Sequence, residues 1–120
     1  MKRGDIFWLA VAEEDGVVTG VAHPHVVIQD DVFNRSRVHT VIFCALTSNL
    51  ARASEPGNVL LDVGEGNLAR QSGLVVSQVS SVLRSELGEY VGTLSVERVE
   101  QVLRGMRFQQ ASFFGRETRD

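Results

Sequence analysis

The stretch VAHPHVVIQDD, residues 21–31, sets two imidazoles astride a proline just ahead of a β-branched run. Proline fixes its own φ and pushes its predecessor toward extended geometry, so His23 belongs at the mouth of a strand and not in a helix. Val26, Val27 and Ile28 then run into a core. The stretch therefore predicts a strand whose open end carries titratable side chains.

Working outward, short apolar segments alternate with polar or glycine-rich turns, the pattern of an antiparallel sheet. Strands are expected at Ile6–Ala12, from His23, at His39–Leu46, at Val59–Val63, at Gly73–Val79 with a bend near Gln78, and at Tyr90–Gly92. Residues 13–20, acidic at one end and bounded by glycine, read as a loop able to cover or steer toward a site. Residues 29–37 suit a turn or one short helical turn, and Gly64–Asn67 another turn. One segment has a helical period: Ser95 as cap, Glu97 in the first turn, then Val96, Val99, Leu103 and Met106. Beyond Gly105 the tail carries Phe108, Phe113 and Phe114, which argues that it docks against something.

With 120 residues, 43% hydrophobic and 22% charged, the chain fits a single domain over 1–120, with 107–120 as a C-terminal tail. A formal charge of -3 means that any polyanion must be held by a local patch. The N-terminus lacks a signal peptide's apolar stretch, and no apolar run reaches the ~20 residues that cross a bilayer, so the expected location is the cytoplasm, without membrane contact. Cys44, the sole cysteine, sits in an apolar run as a small buried hydrophobe. No Cys/His spacing suits zinc, and the adjacent acids Asp30 and Asp31 suit solvent better than a metal. No metal site and no cofactor is expected.

Several short motifs stand in a fixed order: Arg3-Gly4-Asp5 before the first strand, HPHVVIQDD at the second, ALTSN ending the third, a proline before the fourth and VSQV near the end of the sheet. In that order the chain resembles the MazF/PemK family of toxins, over most of residues 2–104. The resemblance implies an α+β, mainly β fold: a small SH3-like or CcdB-like barrel of strongly bent antiparallel strands with a C-terminal helix. It also implies a homodimer that cleaves single-stranded RNA (mRNA) at a short sequence without metal, as the toxin of a type II toxin-antitoxin system, and a cognate antitoxin protein that silences it.

The family carries an arginine regarded as catalytic where this chain has His23, while its catalytic threonine or serine falls on Thr47, with Ser48 beside it. Asn34 and Arg35 match the loop that shapes the family's RNA groove, and Gln78 matches a family glutamine. Cleavage by the RNA's own 2′-hydroxyl needs a base, an acid, and positive charge or donors for the phosphorane. Arginine, with a reference pKa above ~12, supplies only the last, whereas a histidine near ~6.5 exchanges protons at neutral pH. His23, Thr47 and Ser48 are thus the expected catalytic residues. His25, which strand alternation puts on the side of His23, joins Asn34, Arg35, Arg37, Arg52 and Gln78 as an expected RNA contact; Arg35, Arg37, Arg52 and Arg70 are the cations that could line the groove.

Plainer readings stand beside these. His23 could satisfy a turn, His25 and His39 could be structural, and Thr47-Ser48 could cap a strand end. The lost arginine also leaves room for a member that binds an antitoxin or RNA without cutting, or that acts by binding as gyrase-poisoning toxins do.

Overall fold

The computed structural model describes residues 1–10 and 22–117, with side chains as far as residue 111. Six antiparallel strands form one curled sheet: β1 (Asp5–Leu9), β2 (His23–Val27), β3 (Thr40–Thr47), β4 (Val59–Leu61), β5 (Ser72–Leu83) and β6 (Tyr90–Thr93). Their order across the sheet is β4-β5-β3-β2-β1-β6. Three α-helices accompany them among the described residues: α1 (Asp31–Asn34), α2 (Leu50–Ala53) and α3 (Val96–Glu117).

Strand alternation sorts the apolar side chains into two clusters, one on each face. Ile6, Val26, Cys44, Leu46 and Leu74 face α3, whose Val99, Val102 and Met106 pack on them. Leu9, Val27, Val41, Phe43 and Val82 form the second cluster, with Phe7 and Leu87 against it. Phe7 meets Phe43 edge-on at 6.3 Å and Tyr90 at 5.6 Å between ring centroids. Both faces are therefore covered over Val26–Val27 of β2 and Phe43–Cys44 of β3, which is why these stretches read as continuous apolar runs.

The curl has a definite origin. On β3, Cys44 pairs with Val79 and the next residue, Ala45, pairs with Val75. Val76, Ser77 and Gln78 therefore arch out of the ladder, a bulge that bends the strand where the sequence placed a bend. Asn58 holds the arch by accepting the Val76 amide through Oδ1 at 3.0 Å. The same side chain donates to the Arg52 carbonyl at 2.9 Å and so ties α2 to the bulge.

The strand ends differ from the expected ones in places. β1 stops at Leu9, and residues 11–12 and the acidic loop of residues 13–20 lie outside the described residues. β5 continues past Val79 to Leu83, because its serines occupy a ladder whose hydrogen bonds do not depend on side-chain polarity. The helix that starts at the Ser95 cap, where Arg98 N–H donates to Ser95 Oγ at 3.2 Å, does not give way to a tail after Gly105. It runs on to Glu117. Gly105 reads as a stop signal, but it serves as a contact: a Cβ there would collide with the Gly57 carbonyl oxygen where α3 crosses the Pro56–Gly57 turn. Among the described residues no helix is long and apolar enough to cross a membrane.

The acids Asp30 and Asp31 serve α1 and the N-terminus. Asp30 caps α1 by accepting Val32 N–H at 2.9 Å. Asp31 accepts Arg3 N–H at 2.8 Å and Asn34 Nδ2 at 3.0 Å, which hold its carboxyl below the usual carboxylate range, the Asn34 bond foremost.

Candidate active site

The register gathers one end of the sheet into a row. Leu9 pairs with His23, Trp8 with Pro24, and Thr47 with Gly73. The β2–β3 ladder pairs His25 with Ala45; carried two residues further, it brings His23 level with Thr47. By alternation His23 and Thr47 share one face while Pro24 and Leu46 share the other. Because the strands end here, both sets border a single cavity of about 540 Å³, which His23, Thr47 and Ser48 all line.

The remaining wall comes from the turn after β4. Glu65–Asn67 form one turn of 3-10 helix, which lies on β6: Asn67 Nδ2 donates to the Val91 carbonyl at 3.0 Å. Gly92 permits this approach, since a Cβ there would collide with the Gly66 carbonyl. Glu65 fixes the other side of the turn. It accepts Arg98 Nε at 2.8 Å and Arg98 Nη2 at 2.9 Å from α3, and Asp62 N–H at 2.7 Å. Arg98 holds the Glu65 carboxyl below its usual range. So clamped, the turn bridges from edge strand β4 to edge strand β6 and sets Asn67, Leu68, Ala69 and Arg70 along the cavity.

The electrostatics of this end are simple. Among the described residues, Arg70 and His23 are the titratable side chains on the wall, no Asp or Glu borders the cavity, and Arg70 has no carboxylate partner. A chain of net charge -3 thus presents a cation on this wall, where an anion is favoured. Thr47 Oγ1 accepts Asn49 N–H at 3.1 Å, so its hydroxyl proton is left to donate outward. Asn49 in turn caps α2 through Oδ1. Among the described residues the His23 ring, the Ser48 hydroxyl and the Arg70 guanidinium hold no hydrogen bond. This end can move a proton, donate a hydrogen bond and hold a negative charge.

The other expected contacts lie elsewhere. His25 does share the side of His23, but it sits two residues, about 6.8 Å, further in and is buried at 3% exposure. Its Nδ1 bonds the His23 carbonyl at 2.9 Å, and burial pushes its pKa down, so it is a neutral, structural ring and no partner acid or base for His23. Asn34 is buried as well: it donates to the Gln29 carbonyl at 2.9 Å and accepts Gln29 Nε2 at 3.0 Å. Its side chain has nothing left for RNA. Arg35 and Arg37 are exposed beyond α1, at the start of β3, while the cavity is at its end. Gln78 sits half-buried in the bulge and Arg52 near the end of α2; neither lines the cavity.

Of the four expected cations the cavity takes Arg70 alone. Sequence reasoning missed Trp8 and Asn67. Alternation along β1 gives the signal for Trp8, because it puts this large aromatic on the face of Ile6 but near the strand end, where the helix no longer covers it. Asn67 announces itself only through its φ of 63°, a left-handed turn that asparagine tolerates. Cys44 is inert: burial pushes its thiol up to about 12. Among the described residues no group of three or more His, Cys, Asp or Glu side chains could hold a metal ion.

Comparison with known proteins gives consistent results. Residues 2–109 match the family described as PemK-like, MazF-like toxin of type II toxin-antitoxin system. The endoribonuclease MazF6 of Mycobacterium tuberculosis is 34% identical over 107 residues, covering 89% of this chain and 94% of the relative. The endoribonuclease EndoA of Bacillus subtilis is 28% identical over 102 residues, covering 85% and 87%. Among solved structures, an endoribonuclease in complex with its cognate antitoxin from a mycobacterial species superposes with a TM-score of 0.72 at 16% identity, covering 96% of this chain and 95% of that one.

Proposed function

The chain belongs to the PemK-like, MazF-like toxins of type II toxin-antitoxin systems, and from that membership we propose that it is an endoribonuclease that cuts single-stranded RNA at the His23 end of its sheet. One observation carries the site: a single cavity is bordered by a proton-exchanging ring, two hydroxyls and a cation, His23, Thr47, Ser48 and Arg70.

The chemistry follows from those groups. The ribose 2′-oxygen attacks the neighbouring phosphorus while His23 takes its proton. The P–O2′ bond forms as the P–O5′ bond breaks, and the 5′-oxygen leaves with the proton that His23 returns. Thr47, through its outward hydroxyl, and Ser48 donate to the phosphorane oxygens, and Arg70 supplies the permanent charge that an arginine at position 23 would have brought. The products are a 2′,3′-cyclic phosphate and a 5′-hydroxyl. Every step uses side chains of this protein, so cleavage is metal-independent and needs no cofactor. Arg52, a few residues beyond Ser48, serves the RNA as it leaves the cavity; Arg35 and Arg37 serve only as distant phosphate contacts.

The protein works in the cytoplasm, where its substrate is, and a cognate antitoxin restrains it. It acts as a homodimer. In support, Ile42, Val79 and Leu83 lie exposed on the β3–β5 ladder, an apolar patch suited to a second copy.

The test is to incubate the purified protein with single-stranded RNA in excess chelator. Fragments ending in 2′,3′-cyclic phosphate are expected, and His23→Ala should slow their formation by about 10²- to 10⁴-fold. Intact RNA under these conditions overturns the proposal; fragments that form at the parent's rate in His23→Ala remove the proton relay from His23.

A further inference from the structure

The cavity is larger and more apolar than a phosphate alone requires. Its volume of about 540 Å³ lies in the roughly 300–1,000 Å³ range of sites for small organic ligands. Beyond the polar rim the wall is Trp8, Pro24, Leu46, Leu68 and Val91.

Trp8 stands out on three counts. It is the only tryptophan in the chain, and it is 41% exposed although Ile6, on the same face of β1, is fully buried. Its aromatic neighbours in sequence and space, Phe7, Phe43 and Tyr90, pack on one another, while Trp8 has no aromatic partner among the described residues. Its backbone is fixed from one side by the segment before β6: Trp8 N–H donates to the Glu89 carbonyl at 3.0 Å and Gly88 N–H to the Trp8 carbonyl at 2.9 Å. The result is a large flat apolar surface on a rigid strand, facing an open cavity. Such a surface costs little conformational entropy when a ligand covers it.

Its position relative to the rim is set by the ladder. Trp8 pairs with Pro24 and the next pair is Leu9 with His23, so Trp8 and His23 are one step apart on the ladder with side chains on opposite faces, and both border the cavity because the strands end there. Building on the RNA-cutting reading of this cavity, we propose that Trp8 is a stacking platform for one nucleobase adjacent to the bond that is cut. The cavity then grips a base as well as a phosphate. Every base has a π-face, so the platform fixes the position of the strand without itself choosing the base.

Because Trp8 is the only tryptophan, its emission reports on this wall alone. The probe is a pool of 2′-O-methyl RNA heptamers of random sequence, which lack the nucleophilic hydroxyl and stay whole. Binding, followed by anisotropy of a 5′-fluorescein label, should quench Trp8 emission in step with occupancy, whereas an abasic ribose-phosphate oligomer should bind without changing it. Trp8→Phe should bind within about threefold of the parent, while Trp8→Leu, of similar apolarity but with no π-face, should bind about tenfold more weakly or worse. Full binding with unchanged emission overturns the platform, as does a folded Trp8→Leu that binds like the parent. The two readings separate: quenching by the heptamers with no cutting of ordinary RNA keeps the platform and removes the nuclease. Cutting with silent emission keeps the nuclease and removes the platform.

Discussion

The two ends of β3 both carry polar side chains, but the buried ones at its start and those lining the cavity at its end are used in different ways. At the Thr40 end, Gln29, Asn34 and Asp31 bond one another, and Arg84 Nη2 donates to the carbonyls of Phe33, Asn34 and Ser36. At the Thr47 end, about 23 Å away along an extended strand, His23, Ser48 and Arg70 face a cavity without hydrogen bonds among the described residues. Polar groups bonded internally hold a loop in place, with only the buried Nε of Arg84 left without a partner among the groups named there; polar groups unbonded at an open wall are available to a substrate. Residue type does not separate the two ends, since each holds arginine, serine and an amide.

The sharpest way to break this contrast is His23→Ala. The single-turnover cleavage rate should fall by about 10²- to 10⁴-fold with an unchanged melting curve; a variant that cuts at the parent's rate would make the two ends equivalent. Thr47→Val, which keeps shape and removes the donor, should cost about 10²- to 10³-fold in the same assay. At the opposite end the effect should pass from rate to stability. Asn34→Ala should lower the unfolding free energy in urea by about 1–3 kcal/mol, while each folded molecule cuts as before; a loss of rate without loss of stability would return Asn34 to the RNA.

The smallest expected effect lies at the clamp that holds the cavity wall. Glu65→Gln should cost about 0.2–1 kcal/mol at neutral pH. Since Arg98 holds the folded-state carboxyl of Glu65 below its usual range, the pair contributes above that range and is lost as pH falls through the lowered value. Variant and parent should therefore converge in acid, measured as melting temperature against pH; a constant difference would show that the clamp works by packing and not by charge.

Local chemistry made a good part of this legible. Pro24 fixed the strand mouth, the alternating apolar runs marked all six strands, and Ser95 with its 3.6-residue period marked the start of α3. His23, Thr47 and Ser48 were nominated through ordered motifs and all three border the cavity. The end of α3 was not legible, because a glycine that ends helices in one setting lets two backbones touch in another. The burial of His25 was not legible either. Alternation gives the side of a strand but not the depth at which the core begins.

By itself, then, the sequence determined the six strands, the start of α3, the strand mouth and the kinds of chemistry on offer there, because φ restriction, side-chain period and proton affinity are properties of a residue and its near neighbours. Only the tertiary structure decided which arginine borders the cavity with the hydroxyls, that His25 is buried and that Trp8 borders the cavity. Those outcomes depend on the β5 bulge and on the turn that joins the two edge strands, where residues as far apart as Glu65 and Arg98 must meet, and no local preference encodes that distance.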